Sequence, residues 1–421
     1  MDSKTKRWIR FATAAVAAFF VLGAIVTSYP TPGGADDGIA VSSQNKKKKK
    51  VRKKRAEPQK AEKTQTLPPR TPFTAAEQGA AVIPDVPDAR FWADSEKEFL
   101  RALPPSPGPW LILSTGGEDG AFGAGLLNGL SKSGKRPEFS LVTGTSTGAL
   151  IAPFAFLGPK YDDALRDAYT TISAIDIFEV GGKGESFLDT WPLRGLIAKR
   201  VTPDLLKAIA AEHARGRRLF ILTTNLDAGR PVAWDIGAIA TSGGDAALDL
   251  VRKIMIASIS IPGAFPPVLI DAEAGGRKFQ EMHVDGGLGA QFYVAPDSML
   301  ASTSSARLPA TDIFVIANMK LGPDFHVTDR NLTSILNRTV GAAIRIVIRN
   351  AIDRTYATAK RNGIGFHLAF VDQGFSAPAR GPFDPDYMKV LYEAGFAKGS
   401  SPHPFLREPP NLSDQPRNAA R

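Results

Sequence analysis

Between two apolar stretches, residues 139–143 and 148–156, the chain places Gly144-Thr145-Ser146-Thr147-Gly148. The first stretch reads as a strand and the second as a helix, so the chain turns from one into the other with almost no loop. Glycine on either side of the serine keeps side chains from crowding that turn. The serine hydroxyl then projects from the sheet edge, with the positive end of the helix dipole facing it. This suits a nucleophile. Ser146 is therefore the candidate nucleophile, and Gly144, Thr145, Thr147 and Gly148 form its elbow. A glycine turn of purely structural use is the competing reading of the same five residues.

The alternation of short apolar runs with helical stretches continues along the chain. Residues 110–113, 219–224, 283–285, 313–317 and 364–371 read as strands. Residues 121–130 read as a helix with small side chains on one side, and 334–360 carry a long helical pattern. Alternating elements of this kind indicate an α/β layered fold.

Two further motifs sit at strand ends. Ser114-Thr115-Gly116-Gly117-Glu118-Asp119-Gly120 follows the first strand. A glycine-rich loop between strand and helix offers backbone N–H groups to a phosphate or a developing oxyanion. A dinucleotide site fits poorly, because Glu118 and Asp119 would face a pyrophosphate and Thr115 stands where the first fingerprint glycine belongs. An oxyanion hole built from Gly116, Gly117, Glu118, Asp119 and Gly120 is the better expectation. The second motif, Asp285-Gly286-Gly287, ends the strand that contains His283; alone it could be a common Asp-Gly turn. The chain has no cysteine, which excludes disulfides, thiolate nucleophiles and Cys-ligated metal. Its histidines, His213, His283, His326, His367 and His403, stand in no motif that would make one a base. His283 shares a strand face with Asp285, where a satisfied polar residue beneath the site is the expected role. No cofactor or metal motif is present.

Taken in order, the glycine-rich loop, the G-x-S-x-G elbow and the Asp-Gly-Gly turn resemble the patatin-like phospholipases. Residues 257–267, Ala-Ser-Ile-Ser-Ile-Pro-Gly-Ala-Phe-Pro-Pro, and 224–232, Thr-Asn-Leu-Asp-Ala-Gly-Arg-Pro-Val, are similar to further segments of that family. The similarity covers about residues 108–300. It implies a three-layer α/β/α sandwich with a mostly parallel central sheet. It also implies a Ser146–Asp285 dyad that cleaves lipid acyl esters through an acyl-enzyme, as a phospholipase A or lysophospholipase does. Two positions depart from the family pattern. Thr115 stands where a third glycine is common. Asp119 stands where a basic residue is common, so a positive charge near the site becomes a negative one. The alternative is a catalytically weak, membrane-tethered lipid-binding or interaction protein.

The basicity of the chain is local. The net charge is +10, but residues 1–75 hold 16 Lys and Arg against 5 Asp and Glu, and the rest is close to neutral. The globular part makes no case for nucleic acid, and none is expected as a partner. Lys4, Lys6, Arg7 and Arg10 precede an apolar run, and the 19 residues from Phe11 to Tyr29 come close to the ~20 needed to span the hydrocarbon core. Residues 1–29 are thus expected to be a membrane anchor or a signal segment, with Val26-Thr27-Ser28 as a cleavage site. Residues 30–75 read as a disordered linker. Its run Lys46–Lys50, Arg52, Lys53, Lys54 and Arg55 is either a solvated spacer or an attachment to an anionic membrane face, at ~1 kcal/mol per basic residue. Residues 76–107 read as a lead-in, 108–399 as the hydrolase domain and 400–421 as a loose tail. The expectation is a single-pass anchor with the enzyme outside the cytoplasm and membrane lipid as its substrate; secretion after cleavage is the alternative.

Overall fold

The computed structural model describes residues 67–411, apart from 87, 182–183, 302–306, 324 and 326. The expected anchor, the basic run 46–55, His326 and residues 412–421 lie outside them. Among the described residues no helix is long and apolar enough to cross a membrane.

The described strands are β1 (Arg90–Trp92), β2 (Gly108–Leu113), β3 (Leu141–Thr145), β4 (Glu179–Val180), β5 (Leu188–Asp189), β6 (Arg218–Asn225), β7 (Arg230–Asp235), β8 (Val268–Ala274), β9 (Arg277–Asp285), β10 (Ala310–Ala317) and β11 (Gly365–Phe370). Five of them, in the order β6-β3-β2-β10-β11, form a parallel sheet. On the far side of β6, β7 and then β1 add antiparallel. The β8–β9 hairpin joins through β9, which runs antiparallel to the last residues of β6. β4 and β5 form a separate two-stranded ribbon.

Both faces of the sheet are covered, and the strand sequences explain why. In β2, Leu111 and Leu113 face one core while Trp110 and Ile112 face the other; all four are fully buried. A strand apolar on both sides must have layers above and below it. One layer contains α1 (Gly120–Lys132), α2 (Thr147–Leu157), α3 (Pro203–Ala214), α4 (Gly244–Ser258) and α6 (Pro385–Ser400). The other contains the C-terminal half of α5 (Leu332–Asn362), through Ile348, Ile352 and Ala359. The result is a three-layer α/β/α arrangement.

The small residues along the second expected helix have a packing role. A Cβ on Gly125 would lie 2.0 Å from the Tyr392 carbonyl oxygen, and one on Gly129 would lie 2.2 Å from that of Phe396. α1 and α6 therefore meet backbone to backbone.

Three segments read from sequence as peripheral are built into the fold. In the linker, Arg70 forks onto Asp227 and Phe73 stacks on Phe279 at 4.4 Å. In the lead-in, β1 extends the sheet. In the tail, Leu406 exchanges two 2.9 Å backbone hydrogen bonds with Leu368 of β11, and Arg407 donates to His367. None of this carries a periodic signal, because each contact depends on a partner far away in sequence.

His283 lies beneath the sheet edge, fully buried, with its ring nitrogens 2.9 Å from Thr223 Oγ1 and 3.2 Å from Glu281 Oε2. Glu281 also receives Arg90 and Gln78. Burial alone would raise the Glu281 pKa, but the Arg90 and His283 hydrogen bonds prevail and hold it at about 2. Glu281→Ala leaves a guanidinium without its partner in a dry interior and is expected to destabilise the fold by about 3–5 kcal/mol. Urea unfolding of the two proteins would measure this.

Candidate active site

The edge of β6 brings the site together. β3 pairs with β6 from Arg218 to Leu222, where Thr145 is the last partner. From Thr223 onward the same edge is occupied by β9, and Thr223 lies opposite Asp285. The two strands run toward each other and stop one β6 residue apart. The residue after β3 is Ser146 and the last of β9 is Asp285. Their side chains meet, with Ser146 Oγ donating to Asp285 Oδ2 at 2.8 Å.

The turn at Ser146 is as tight as its glycines imply. Ser146 has φ 55° and ψ −124°, a conformation that a non-glycine residue adopts at a cost of roughly 1–3 kcal/mol. A Cβ on Gly144 would lie 2.4 Å from the Gly148 carbonyl oxygen, and one on Gly148 would lie 2.5 Å from that of Leu113. Neither position accepts a side chain. Thr145 completes β3, and Thr147 opens α2 with its hydroxyl 2.6 Å from the Tyr169 hydroxyl.

Asp285 is held from three sides. Its Oδ1 accepts the Gly287 N–H at 2.7 Å, its own N–H donates to the Ser260 carbonyl at 2.9 Å, and its carbonyl accepts the Thr224 hydroxyl at 3.0 Å. Gly286 and Gly287 begin the short helical turn that makes the first contact available. Burial pushes the Asp285 carboxyl up to about 7, against the opposing pull of the Gly287 and Ser146 hydrogen bonds.

Residues 257–267 have a positioning role that their sequence does not announce. Ser258 Oγ accepts the Ser146 N–H at 3.1 Å. Ser260 supplies the carbonyl that takes the Asp285 N–H. One segment thus fastens both members of the pair.

The glycine-rich loop lies beside Ser146, but its five amides are not equivalent. Gly117–Asp119 form a single 3₁₀ turn, in which the Asp119 N–H is spent on the Gly116 carbonyl and the Gly120 N–H on Glu118 and Gly117. Asp119 and Gly120 are therefore corrected out of the expected donor set, which contracts to Gly116, Gly117 and Glu118. Thr115 is fixed from the side by its N–H to the Gln291 carbonyl at 2.9 Å. Asn318 clamps Ser114, with its own N–H on Ser114 Oγ at 2.9 Å and its Nδ2 on the Ser114 carbonyl at 3.0 Å.

The acidic pair turns out to be tied to α6 and to the residues just before it. Glu118 accepts the Phe383 N–H. Burial, then the neighbouring Asp119, raises its pKa to about 8, so it is largely protonated at neutral pH. Asp119 accepts the Tyr387 hydroxyl at 2.7 Å, and burial pushes it up to about 6 despite that bond. At neutral pH the Glu118 charge is thus largely suppressed, while Asp119 stays mostly ionised.

Ser146 opens into two cavities. One has about 910 Å³ of empty space counting its mouth, and its walls are almost wholly apolar, among them Leu150, Phe154, Ile177, Leu196, Met255 and Phe265. The other has about 1710 Å³ and is also lined by Asp285, Gly116, Lys320, Arg345 and the N-terminal half of α5. Among the described residues no histidine lines either one.

The sequence model of the patatin-like phospholipase family matches residues 111–296, which include Ser146, Asp285 and the loop between Leu113 and Ala121. Two solved structures are similar to the chain. VipD from Legionella pneumophila is 12% identical with a TM-score of 0.29, over 71% of this chain and 67% of that one. The type III effector protein ExoU is 13% identical with a TM-score of 0.21, over 71% of this chain and 53% of that one. The chain thus spans about two thirds of the first and about half of the second. No curated protein matches it in sequence. Residues 111–296, which hold the elbow, the glycine-rich loop and the Asp-Gly-Gly turn in order, thus match the patatin-like phospholipase family as a domain within the chain.

Proposed function

We propose that this protein is a serine acyl hydrolase of lipid esters, of the phospholipase A or lysophospholipase type, working through Ser146 and Asp285. The observation that carries this reading is the 2.8 Å hydrogen bond between a strained serine and a buried carboxylate. Ser146 Oγ attacks the ester carbonyl carbon while its proton passes to Asp285 Oδ2. The carbonyl oxygen becomes an oxyanion beside the Gly116, Gly117 and Glu118 amides; a donor of this kind is worth about 2.7–4 kcal/mol. Collapse expels the alcohol, which leaves with the proton from Asp285, and an acyl-Ser146 ester remains. A water then gives a proton to Asp285, attacks that ester and releases the fatty acid. The proton returns to Ser146 Oγ.

The apolar cavity supports a lipid substrate, since it can take an acyl chain and offers almost nothing polar. The weakly catalytic alternative drew on the acidic pair and the long basic tail; the contacts of Glu118 and Asp119 with residues 383 and 387 give the pair a structural use and weaken the first motive. Membrane localisation is proposed only on the sequence of residues 1–29 and 46–55.

Ser146→Ala and Asp285→Asn are each expected to lower kcat on a short p-nitrophenyl ester by about 10⁴-fold, and the double variant to fall no further. Retained activity in Ser146→Ala would sink the mechanism. Mass spectrometry of phospholipid treated with wild type and Ser146→Ala would name the bond that is cut.

Asp285 acts as a base only when ionised. The kcat/KM profile is therefore expected to rise with pH and reach half its plateau near about 7. A profile flat from pH 5 to 9 would contradict this.

The same shift has a consequence for stability. A carboxyl whose pKa is raised on folding stabilises the fold least at high pH, because ionising it costs more in the folded state than in the unfolded one. Asp285→Asn removes that cost. It is expected to melt a few degrees above wild type at pH 8, with the difference closing below about pH 4. Thermal melts across pH would read it.

A further inference from the structure

The outward side of α5 changes chemistry halfway along its length. From Ile348 on, the helix is seated on the core through Ile348, Ile352, Thr355 and Ala359. Its exposed residues there include Arg349, Asp353, Arg354, Lys360 and Arg361, as expected of a helix that faces water. Before Ile348 the exposed residues are Leu332, Ile335, Thr339, Ala343, Ile346 and Val347. None is charged. The first five recur every three or four positions and form one stripe. Leu332, Ile335 and Ile346 are 59%, 48% and 57% exposed. Even Thr339 needs no water, because its hydroxyl donates to the Ile335 carbonyl at 2.8 Å.

This half of the helix also forms a wall of the larger cavity, through Val340, Ile344 and Val347. The stripe is therefore continuous with the rim of the site. Exposed Arg330 precedes it and exposed Arg349 follows it. A second exposed apolar group, Ile175, Val180 and Trp191, stands near Ile177 and Leu193 of the smaller cavity. Contiguous exposed apolar surface of this sort marks an interaction site. Aliphatic side chains flanked by cations match one partner best, the headgroup and acyl boundary of an anionic bilayer.

We infer that residues 332–347 of α5 dock on an anionic lipid surface, with the Leu332, Ile335 and Ile346 side chains entering the acyl boundary and Arg330 and Arg349 meeting the headgroups. The inference rests on the lipid hydrolase reading for its choice of partner. It supplies what that reading lacks, a route by which a lipid passes from the bilayer to Ser146 without crossing water.

The chain has no cysteine, so single labels can be placed without background. The test uses the full chain carrying Ser146→Ala, which leaves vesicles intact. Ile335→Cys, Ile346→Cys and Ala211→Cys are labelled in turn with an environment-sensitive fluorophore. Ala211 is exposed on α3, in the layer on the opposite face of the sheet. With phosphatidylcholine–phosphatidylglycerol vesicles, the labels at 335 and 346 should shift to the blue and brighten about two-fold or more, while that at 211 stays unchanged. Adding Arg330→Glu and Arg349→Glu should weaken the response, as should vesicles of phosphatidylcholine alone. Labels at 335 and 346 that keep their aqueous spectrum would overturn the inference, whether or not the chain sediments with the vesicles. A shift that grows with protein concentration in the absence of vesicles would also overturn it, since a second copy would then cover the stripe. The two readings separate cleanly. Insertion by a chain whose wild type cleaves no ester leaves docking standing and removes the hydrolase. Ester cleavage with aqueous labels does the reverse.

Discussion

The edge of β6 passes from β3 to β9 between Leu222 and Thr223. A strand edge offers each backbone group to one neighbour at a time, so two strands on the same edge must stop where they meet. β3 runs parallel to β6 and β9 antiparallel, so their C-terminal ends converge. Ser146 and Asp285 are 139 residues apart in sequence and 2.8 Å apart in space because of that convergence. Backbone pairing supplies the coarse register. The finer placement comes from Ser258, Ser260 and Gly287, which hold the two backbones and the carboxylate within hydrogen-bond reach.

A carboxylate can take a histidine's place as base only if its proton affinity is brought near neutrality. In water an aspartate is too weak a base for a serine hydroxyl. For the proposed base, Asp285, enclosure at the β9 end supplies the shift, and the acidic pair on the loop is shifted by burial in the same way. Glu118 and Asp119 could have surrounded the nucleophile with negative charge, but burial under α6 raises both pKa values. The Phe383 amide and the Tyr387 hydroxyl oppose that rise, since each donates to a carboxylate and favours its ionised form. The backbone contact of α1 with α6 is therefore more than packing, because it brings the segment around Phe383 and Tyr387 over the loop.

How much of this was legible in the sequence depended on the range of the interaction. The elbow was legible because its constraint is local: Gly144 and Gly148 collide with neighbouring backbone if either gains a Cβ. The β2 and β3 strands were legible from apolar runs buried on both faces. The ends of elements were less so; β9 begins at Arg277, well before the residue 283 expected, because its first half alternates with charge on a solvated hairpin. The donor loop was half legible. Its glycines marked it, but nothing local says that the Asp119 amide would be spent on a 3₁₀ turn. Ser258, Ser260, Asn318 and Tyr387 were not legible as site residues at all. Each acts through a partner in a distant segment, and only the family resemblance drew attention to 257–267. The ordered start of the tail belongs to the same class, since Leu406 finds its strand only once β11 is in place.

The two cavities bear on what the proposed chemistry can accept. Ser146 stands in the walls of both, so an ester at its Oγ has a separate space within reach for each side of the bond. The smaller space is almost wholly apolar, and there an alkyl chain displaces few hydrogen bonds. The larger space has Lys320 and Arg345 in its wall and is nearly twice the empty volume, and there a polar alcohol portion meets charge of the opposite sign if it carries phosphate. The reverse orientation would bury a charged group among Leu150, Phe154 and Met255, at a cost of several kcal/mol. Under the proposed lipid hydrolase reading, polarity places the acyl chain inward and the alcohol toward α5.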